Sequence, residues 1–261
     1  MNIINGDCLR ELKHIDEMSI DLIFSDPPYN LSGKDLELRN NNTGGPYIKI
    51  NAQWDVFSEC DYNSFTFNWI SGAAKTLKKN GSIYISCTQH NIGVILTEAK
   101  KAGLKLNNII TWYKSNAMPN ITKRTFTHST EFVCWFVKGK NWVFNYEEVK
   151  KFNPRKTKDG QPKQMRDFLD FLELPIVQGK ERIKNNNGRA LHPTQKPEKL
   201  LELVIISSSN EGDIVLDPFF GTGTTGVVAQ RLGRNWIGIE KNPEYIEIAR
   251  KRLEKELAYV Y

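Results

Sequence analysis

Apolar positions fall into short runs that alternate with stretches of helical spacing, the pattern of strands and helices taking turns. Ile20 to Ser25 reads as a strand. Tyr62 to Leu77 reads as a helix that Lys79-Asn80-Gly81 brings to an end. Ser82 to Ser86 is expected as a buried strand, Asn91 to Ala102 as a helix closed by Gly103, and Leu106 to Lys114 and Glu131 to Val137 as strands. Further on, Pro197 to Ser208 predicts a helix with proline near its first turn. Asp213 to Asp217 (strand), Thr222 to Leu232 (helix), Asn235 to Glu240 (strand) and Pro243 to Leu257 (helix) complete the series. The alternation predicts an α/β fold, a mostly parallel sheet flanked by helices on both faces.

Two stretches carry no such period. Gly33 to Asp55, with Asn40-Asn41-Asn42-Thr43-Gly44-Gly45-Pro46 inside it, reads as a mobile loop. Asn153 to Ala190 is basic and rich in Asn and Gly, with a short amphipathic piece around Met165 to Leu172. Long loops in a compact domain are usually functional or disordered. No internal repeat is visible.

Composition sharpens this. With 261 residues and 39% apolar content, one domain of moderate size or one domain with an insertion is expected. No run has the length of a membrane helix, and Met1 to Asp7 does not read as a signal peptide, so a soluble, cytoplasmic protein away from membranes is expected. Cys8, Cys60, Cys87 and Cys134 are scattered without a Cys-x-x-Cys pair, which speaks against disulfides and a metal site and for reduced core or pocket thiols. The net charge of +6 is uneven. Residues 101–190 hold 18 Lys and Arg against 8 Asp and Glu, while both flanks are slightly acidic. A regional excess of this kind favours a face for a polyanion.

Two loops carry the chemistry. Gly221-x-Gly223-x-x-Gly226 follows the apolar run Ile214-Val215-Leu216 and matches the dinucleotide fingerprint, with the acid Glu240 at about the expected distance. Asp217, directly before this loop, would oppose a pyrophosphate but suit a cationic amino group. Little chain follows Glu240 for the remaining units of a dinucleotide fold. S-adenosyl-L-methionine, which has an amino acid end, a sulfonium, a ribose and no phosphate, fits better than a nicotinamide cofactor. Glycines let the backbone approach the ligand, and Glu240 is placed to accept both ribose hydroxyls.

The second loop, Asp26-Pro27-Pro28-Tyr29, follows Leu22-Ile23-Phe24. Two prolines fix the backbone and remove two N–H donors. What remains is rich in acceptors, as the exocyclic amino group of a base requires. Hydrogen bonds from that group to Asp26 and the Pro27 carbonyl would pull its nitrogen toward tetrahedral geometry and free the lone pair to attack a sulfonium methyl. Tyr29 offers a ring to a base taken out of its helix.

With these motifs in this order, the chain resembles the amino-methyltransferases of DNA, in particular the permuted β group, where the catalytic loop precedes the cofactor loop. The resemblance runs through Asn5-Gly6-Asp7-Cys8, Asn116-Ala117-Met118-Pro119-Asn120, His128-Ser129-Thr130-Glu131, His192-Pro193-Thr194-Gln195-Lys196-Pro197, the glycine loop and Gly238-Ile239-Glu240. It implies a Rossmann-like, circularly permuted methyltransferase domain over residues 1–261, with a catalytic half 1–137, a target-recognition insertion 138–190 and a cofactor half 191–261. The Asp-Pro-Pro-Tyr form is associated in that family with adenine N6, and a Ser-Pro-Pro-Tyr form with cytosine N4. The resemblance therefore implies transfer to adenine N6 with base flipping, cytosine N4 being the alternative; an oxidoreductase and an inactive DNA-binding scaffold are remote ones. Cytosine C5 chemistry is disfavoured, because it needs a thiolate and no Pro-Cys pair stands in place of the two prolines.

The resemblance assigns Asp26, Pro27, Pro28 and Tyr29 to catalysis. It places Asp7, with Cys8 beside it, at the cofactor adenine, Thr194 and Lys196 at the methionine end, and Asp217 near the amino group, with Asp26 also facing the cofactor. Phe219, Gly221, Thr222, Gly223, Thr224 and Thr225 would wrap the cofactor and Glu240 would take the ribose. Gly179-Lys180-Glu181-Arg182-Ile183-Lys184 is similar to adenine methyltransferases acting on GANTC-type sites, whose C-terminal extension is not expected in a chain ending at Tyr261. The partners implied are DNA, a cognate restriction endonuclease and a second copy of the chain. Lys123, Arg124, His128, Arg155, Lys156, Lys158, Lys163 and Arg166, in the basic third, are the DNA-binding candidates. Thr125 to Thr130 would lie near the base pocket.

Overall fold

The computed structural model describes residues 2–31, 37–38, 47–48, 55–117, 119–120, 123–169, 174–179, 181–184, 188, 191 and 194–258. A seven-stranded sheet runs through the molecule. Its strands are β1 (Asn2–Asn5), β2 (Ile20–Ser25), β5 (Leu77–Cys87), β6 (Lys105–Tyr113), β7 (Thr130–Val137), β8 (Ile214–Asp217) and β9 (Asn235–Glu240), in the order β1-β9-β8-β2-β5-β7-β6. The first five in that order are parallel, and β7 runs antiparallel between β5 and β6. The sheet is therefore mostly parallel, as expected, with one reversed strand.

Side chains alternate across the sheet and feed two cores. On one face Leu22, Phe24, Tyr84, Val133 and Trp135 pack with α5 (Glu198–Ser208), α6 (Thr224–Arg231) and α7 (Pro243–Ala258). On the other, Ile20, Ile23, Ile83, Ile85 and Cys134 meet α1 (Cys8–Glu11), α2 (Glu59–Thr76) and α3 (Ile92–Lys101). Both faces are covered, which is what a parallel sheet requires. Among the described residues no helix is long and apolar enough to cross a membrane.

Several expectations need correction. Helix α2 starts earlier than Tyr62, at Glu59 behind the Ser58 cap, and ends at Thr76. Lys79-Asn80-Gly81 therefore does not stop the helix. It lies inside β5, where the pairing jumps from Ile20↔Leu77 to Leu22↔Ser82, so the breaker residues form a bulge. Strand β1, helix α1 and the short α4 (Tyr146–Lys150) add elements the apolar pattern did not reveal. Cys60 is exposed at the start of α2, not a core or pocket thiol, whereas Cys8, Cys87 and Cys134 are buried.

Within the stretch read as a mobile loop, β3 (Glu37–Leu38) and β4 (Tyr47–Ile48) pair antiparallel. The rest of Gly33–Trp54, like Met118, Asp170–Leu172, Lys180, His192 and Pro193, lies outside the described residues. In the basic stretch, Lys156 bridges Pro162, and the backbone at Asp167 and Leu169 hydrogen bonds Thr111, extending the sheet beyond β6.

Candidate functional site

Parallel strands put their carboxyl ends on one edge, and the candidate residues lie along that edge in strand order. Asp7 follows β1, Glu240 ends β9, Asp217 ends β8, Asp26 follows β2 and Ser86 lies near the end of β5. Reversed β7 brings its first residues, Thr130 and Glu131, to the same edge, and Lys114 follows β6 there. Strands β2 and β8 are direct neighbours, Ile23 opposite Leu216. Adjacent strands lie about 4.8 Å apart. The Asp-Pro-Pro-Tyr loop and the glycine loop are thus neighbours despite some 190 intervening residues.

Asp26 is the hub. Its Oδ1 accepts from the Tyr29 hydroxyl at 2.7 Å, and its Oδ2 accepts from Lys196 Nζ at 2.7 Å. The Tyr29 hydroxyl also lies 2.8 Å from Ser86 Oγ, and its ring centroid is 5.3 Å from Lys196 Nζ. Lys196 reaches Glu131 Oε2 at 3.7 Å, and Glu131 Oε1 meets Lys114 Nζ at 3.2 Å. Four charges of alternating sign, Asp26, Lys196, Glu131 and Lys114, form one mostly buried chain. Burial opposes the charge of Lys196, yet Asp26 and Glu131 outweigh it and hold its ammonium above the ordinary lysine value. Burial, joined by Asp26 and Glu131, pushes the Tyr29 phenol far above its usual value, so it stays a hydroxyl.

The loop behind Asp26 is fixed from two sides. Asp55 accepts from the backbone amides of Tyr29, Asn30 and Leu31 at 2.6, 2.7 and 2.9 Å. Asn30 sits at φ +56, a conformation that asparagine tolerates better than most residues. The Tyr62 hydroxyl donates to the Pro28 carbonyl at 2.9 Å and accepts from Asn91 Nδ2 at 2.9 Å.

Three strand spacings run from Asp26 to Asp7. Asp217 accepts from the Phe219 amide at 2.9 Å and from the Thr225 hydroxyl. Burial pushes its carboxyl up to about 7, the Thr225 and Phe219 donors pull it back, and Asp26 and Glu240 add to the rise. Such a group calls for a cation. Glu240 accepts from the amides of Gly221 and Asn242, each at 2.8 Å, and burial raises its carboxyl despite these donors. Gly223, at φ +81, turns the loop into α6, and a Cβ there would stand 2.9 Å from Ala249 Cβ. Gly238 has no room either: a Cβ would meet the Phe220 ring at 2.3 Å. Phe219 packs edge-on to Trp69, while Phe220 stacks on Trp236. Gly221, Thr222 and Thr224 complete the turn between these rings and α6. Asp7 caps α1 by accepting from the Leu9 amide, and burial pushes the neighbouring Cys8 thiol up to about 12. A buried carboxyl suited to a cation and a half-buried acid one strand away, on either side of the glycine turn, fit the amino end and ribose of S-adenosylmethionine.

Thr194 is exposed, while Lys196, two residues on, is buried against Asp26. The remaining candidates lie at the side of the row. Lys123, Arg124 and His128 are exposed in the segment leading into β7, and His128 Nδ1 lies 3.1 Å from Gln89 Nε2. Arg155, Lys156, Lys158, Lys163 and Arg166 are exposed on a ribbon whose turn holds Gly160 at φ +78. The ribbon walls a cavity of about 390 Å³ lined by Asn153, Arg155, Lys163, Gln164, Met165 and Arg166. Sequence reasoning missed Asp55, Tyr62, Ser86 and Lys114 as members of the site. Glu131 lay inside a matched segment without being assigned a role.

A family model described as DNA methylase matches residues 20–251. The chain is 41% identical over 256 residues to Type II methyltransferase M.HinfI of Haemophilus influenzae, covering 97% of this chain and 68% of that protein. It is 41% identical over 261 residues to Type II methyltransferase M2.DpnII of Streptococcus pneumoniae, covering 98% and 90%. Among solved structures, the M1.HpyAVI–SAM complex superposes with a TM-score of 0.67 at 30% identity, over 97% of this chain and 98% of that one.

Proposed function

The chain belongs to the DNA methylase family, and on that premise we propose that it transfers a methyl group from S-adenosylmethionine to the N6 amino group of adenine within a short DNA site. The observation that carries the reading is the adjacency of β2 and β8, which makes neighbours of an amino-acceptor loop and a cation-seeking carboxyl.

S-adenosylmethionine supplies an electrophilic sulfonium methyl; the remaining work falls to the chain. Asp217 holds the ammonium, Glu240 the ribose hydroxyls, and Asp7 with Cys8 borders the adenine. Phe219, Gly221 and Thr222 to Thr225 line the path between them. Lys196 and Thr194 face the methionine carboxylate. Asp26 and the Pro27 carbonyl accept the two N–H bonds of a flipped adenine, and the Pro28–Tyr29 turn keeps them in place. The amino group takes over the hydrogen bond that Lys196 makes to Asp26 Oδ2. Lys196 then keeps Glu131 as its buried anion and is free to meet the methionine carboxylate, so base entry and cofactor binding share one ammonium. On accepting the methyl group the adenine nitrogen would shed one proton, and Asp26 is the acceptor that would be in contact with it. An aspartate at position 26, where the N4 form of the motif has serine, supports adenine over cytosine.

The same proposal takes residues 1–137 as the catalytic half, 138–190 as the target-recognition insertion and 191–261 as the cofactor half. Lys123, Arg124, His128 and the basic ribbon would face phosphates. It also takes the working protein to be a cytoplasmic homodimer paired with a restriction endonuclease; the Type II naming of its relatives supports the endonuclease alone. Light scattering of the purified protein tests the dimer.

The decisive experiment is incubation of unmethylated plasmid with protein and S-adenosylmethionine, followed by nucleoside mass spectrometry and sequencing of the modified sites. N6-methyladenine at one short motif is expected. N4-methylcytosine would overturn the choice of base, and an unmodified plasmid with cofactor binding intact would overturn DNA as substrate. Asp26→Ala should bind cofactor but transfer nothing; full transfer by this variant would remove Asp26 from the mechanism.

A further inference from the structure

Phe126 is 96% exposed, far more than any other large apolar side chain among the described residues. An aromatic ring left wholly in water forgoes the burial that normally decides where phenylalanine goes. Its neighbours are Lys123, Arg124, Thr125, Thr127 and His128, all exposed and none of them apolar. The segment beneath it is nevertheless fastened. Asn120 donates to the Thr125 hydroxyl, Lys123 N bonds the Asn120 carbonyl at 3.2 Å, the Ser129 carbonyl accepts from Lys114 N at 2.7 Å, and His128 lies on Gln89. The ring is therefore held out from an anchored backbone.

Its location is specific. Phe126 lies five positions before Glu131, which contacts Lys196 and through it Asp26. An extended chain spans at most about 3.6 Å per residue, so the ring stands within roughly 18 Å of the catalytic chain of charges at the Cα level. Gln89, which holds His128, follows three residues after Ser86, the partner of Tyr29. Phe126 thus stands on the edge that bears Asp26, beside the cationic groups Lys123 and Arg124, which suit phosphates.

Drawing a base out of a duplex leaves a gap in the stack, and apolar side chains that enter base steps offset part of the stacking that is forfeited. We infer that Phe126 enters the duplex beside the target base and occupies the gap left when that base turns into the site. The inference rests on the proposed DNA reaction and adds the residue that holds the substrate open. Phe126 is a positioning residue: it touches the helix and leaves the reacting atoms alone. Lys123 and Arg124 grip the flanking phosphates while it enters.

The test uses the motif defined by plasmid sequencing, in a duplex with 2-aminopurine in place of the target adenine, whose fluorescence rises on unstacking. Wild-type protein should raise it. Phe126→Ala should keep its melting temperature and cofactor affinity, lose most of the fluorescence rise, and slow single-turnover methylation by about 5- to 150-fold, the range expected for removing one base–aromatic stack. The defect should shrink severalfold when the target adenine faces an abasic site, and Phe126→Trp should restore most of the rate. Flipping and transfer by Phe126→Ala equal to wild type would overturn the inference while leaving the enzyme's function intact. So would a defect of equal size on paired and unpaired targets. Wild-type protein that modifies no plasmid base would overturn the functional reading and this inference with it.

Discussion

Replacing Glu131 with glutamine isolates what the buried chain of charges does. Lys114, Glu131, Lys196 and Asp26 have side chains 12%, 18%, 6% and 15% exposed, and their contacts are 3.2, 3.7 and 2.7 Å. Two cations and two anions balance. Glu131→Gln keeps the shape but leaves an unbalanced positive charge. Removing one partner from a buried ion pair costs about 3–5 kcal/mol, and the residual exposure of Glu131 argues for the lower end, about 3 kcal/mol. At about 2–4 °C per kcal/mol for a chain near this size, the melting temperature should fall by roughly 6–12 °C. Methyl transfer should slow as well. Without Glu131, Lys196 has Asp26 as its near anion, the pair tightens, and the incoming amino group competes less well, by about tenfold for each 1.4 kcal/mol. Thermal unfolding by circular dichroism and single-turnover transfer measure the two effects. Adding Lys114→Met restores charge balance and should recover at least half of the missing stability, since residues in one network couple. A destabilisation below about 1 kcal/mol, the value of a surface pair, or a double variant no better than the single one, would refute this reasoning.

Asp217 gives a pH prediction. Its folded carboxyl, at about 7, lies above the ordinary 3.8, so the cofactor-free fold favours the proton. Its contribution to stability is therefore full below pH about 4 and is lost as pH rises through about 7. Binding of an ammonium requires the carboxylate, so cofactor affinity should rise with pH up to about 7 and fall once the amine deprotonates, above about 7.7–8.0. Calorimetry in two buffers at pH 6 should show proton release; proton uptake would contradict the assignment. Gly238→Ala drives a methyl into the Phe220 ring, which Trp236 holds from behind, and should cost about 1–3 kcal/mol in urea unfolding together with cofactor affinity. Neutralising Arg155, Lys156, Lys158, Lys163 and Arg166 should flatten the salt dependence of DNA affinity by about 0.9 in log–log slope for each phosphate that is no longer neutralised; an unchanged slope would move the DNA face elsewhere.

Much of the sheet was legible because its central strands are continuous apolar runs between breakers. β9 agrees with its expected bounds, and β2 does too. β1 was not legible: four residues, Asn2-Ile3-Ile4-Asn5, hold too few apolar positions for a period. Nor was the reversal of β7, since strand direction is set by the connections and not by the residues. Lys79-Asn80-Gly81 was recognised as a breaker and misread in effect, because a bulge and a helix stop draw on the same residue types. In the site, the motif-bearing loops declared themselves through prolines and glycines. Lys196 was expected at the methionine end, whereas its contact with Asp26 joins residues 170 positions apart. Asp55, Tyr62, Ser86 and Lys114 are single polar residues in ordinary surroundings, and only the fold gives them neighbours. A charged residue near the start of an apolar strand, as Glu131 is in β7, is the one local signal the chain offered.

The grip of Asp55 on three successive amides has a consequence for the evolution of the scaffold. Leu31 and Asp55 are joined at 2.9 Å, so the chain leaves the catalytic turn and returns to it at one point. Whatever length lies between them, the turn keeps its own clasp, and doubling such a connection costs only about 0.6 kcal/mol in closure entropy. That makes residues 32–54 a natural splice position. Segments of other lengths and compositions can be exchanged there, and new contacts acquired, without resetting the geometry of Asp26.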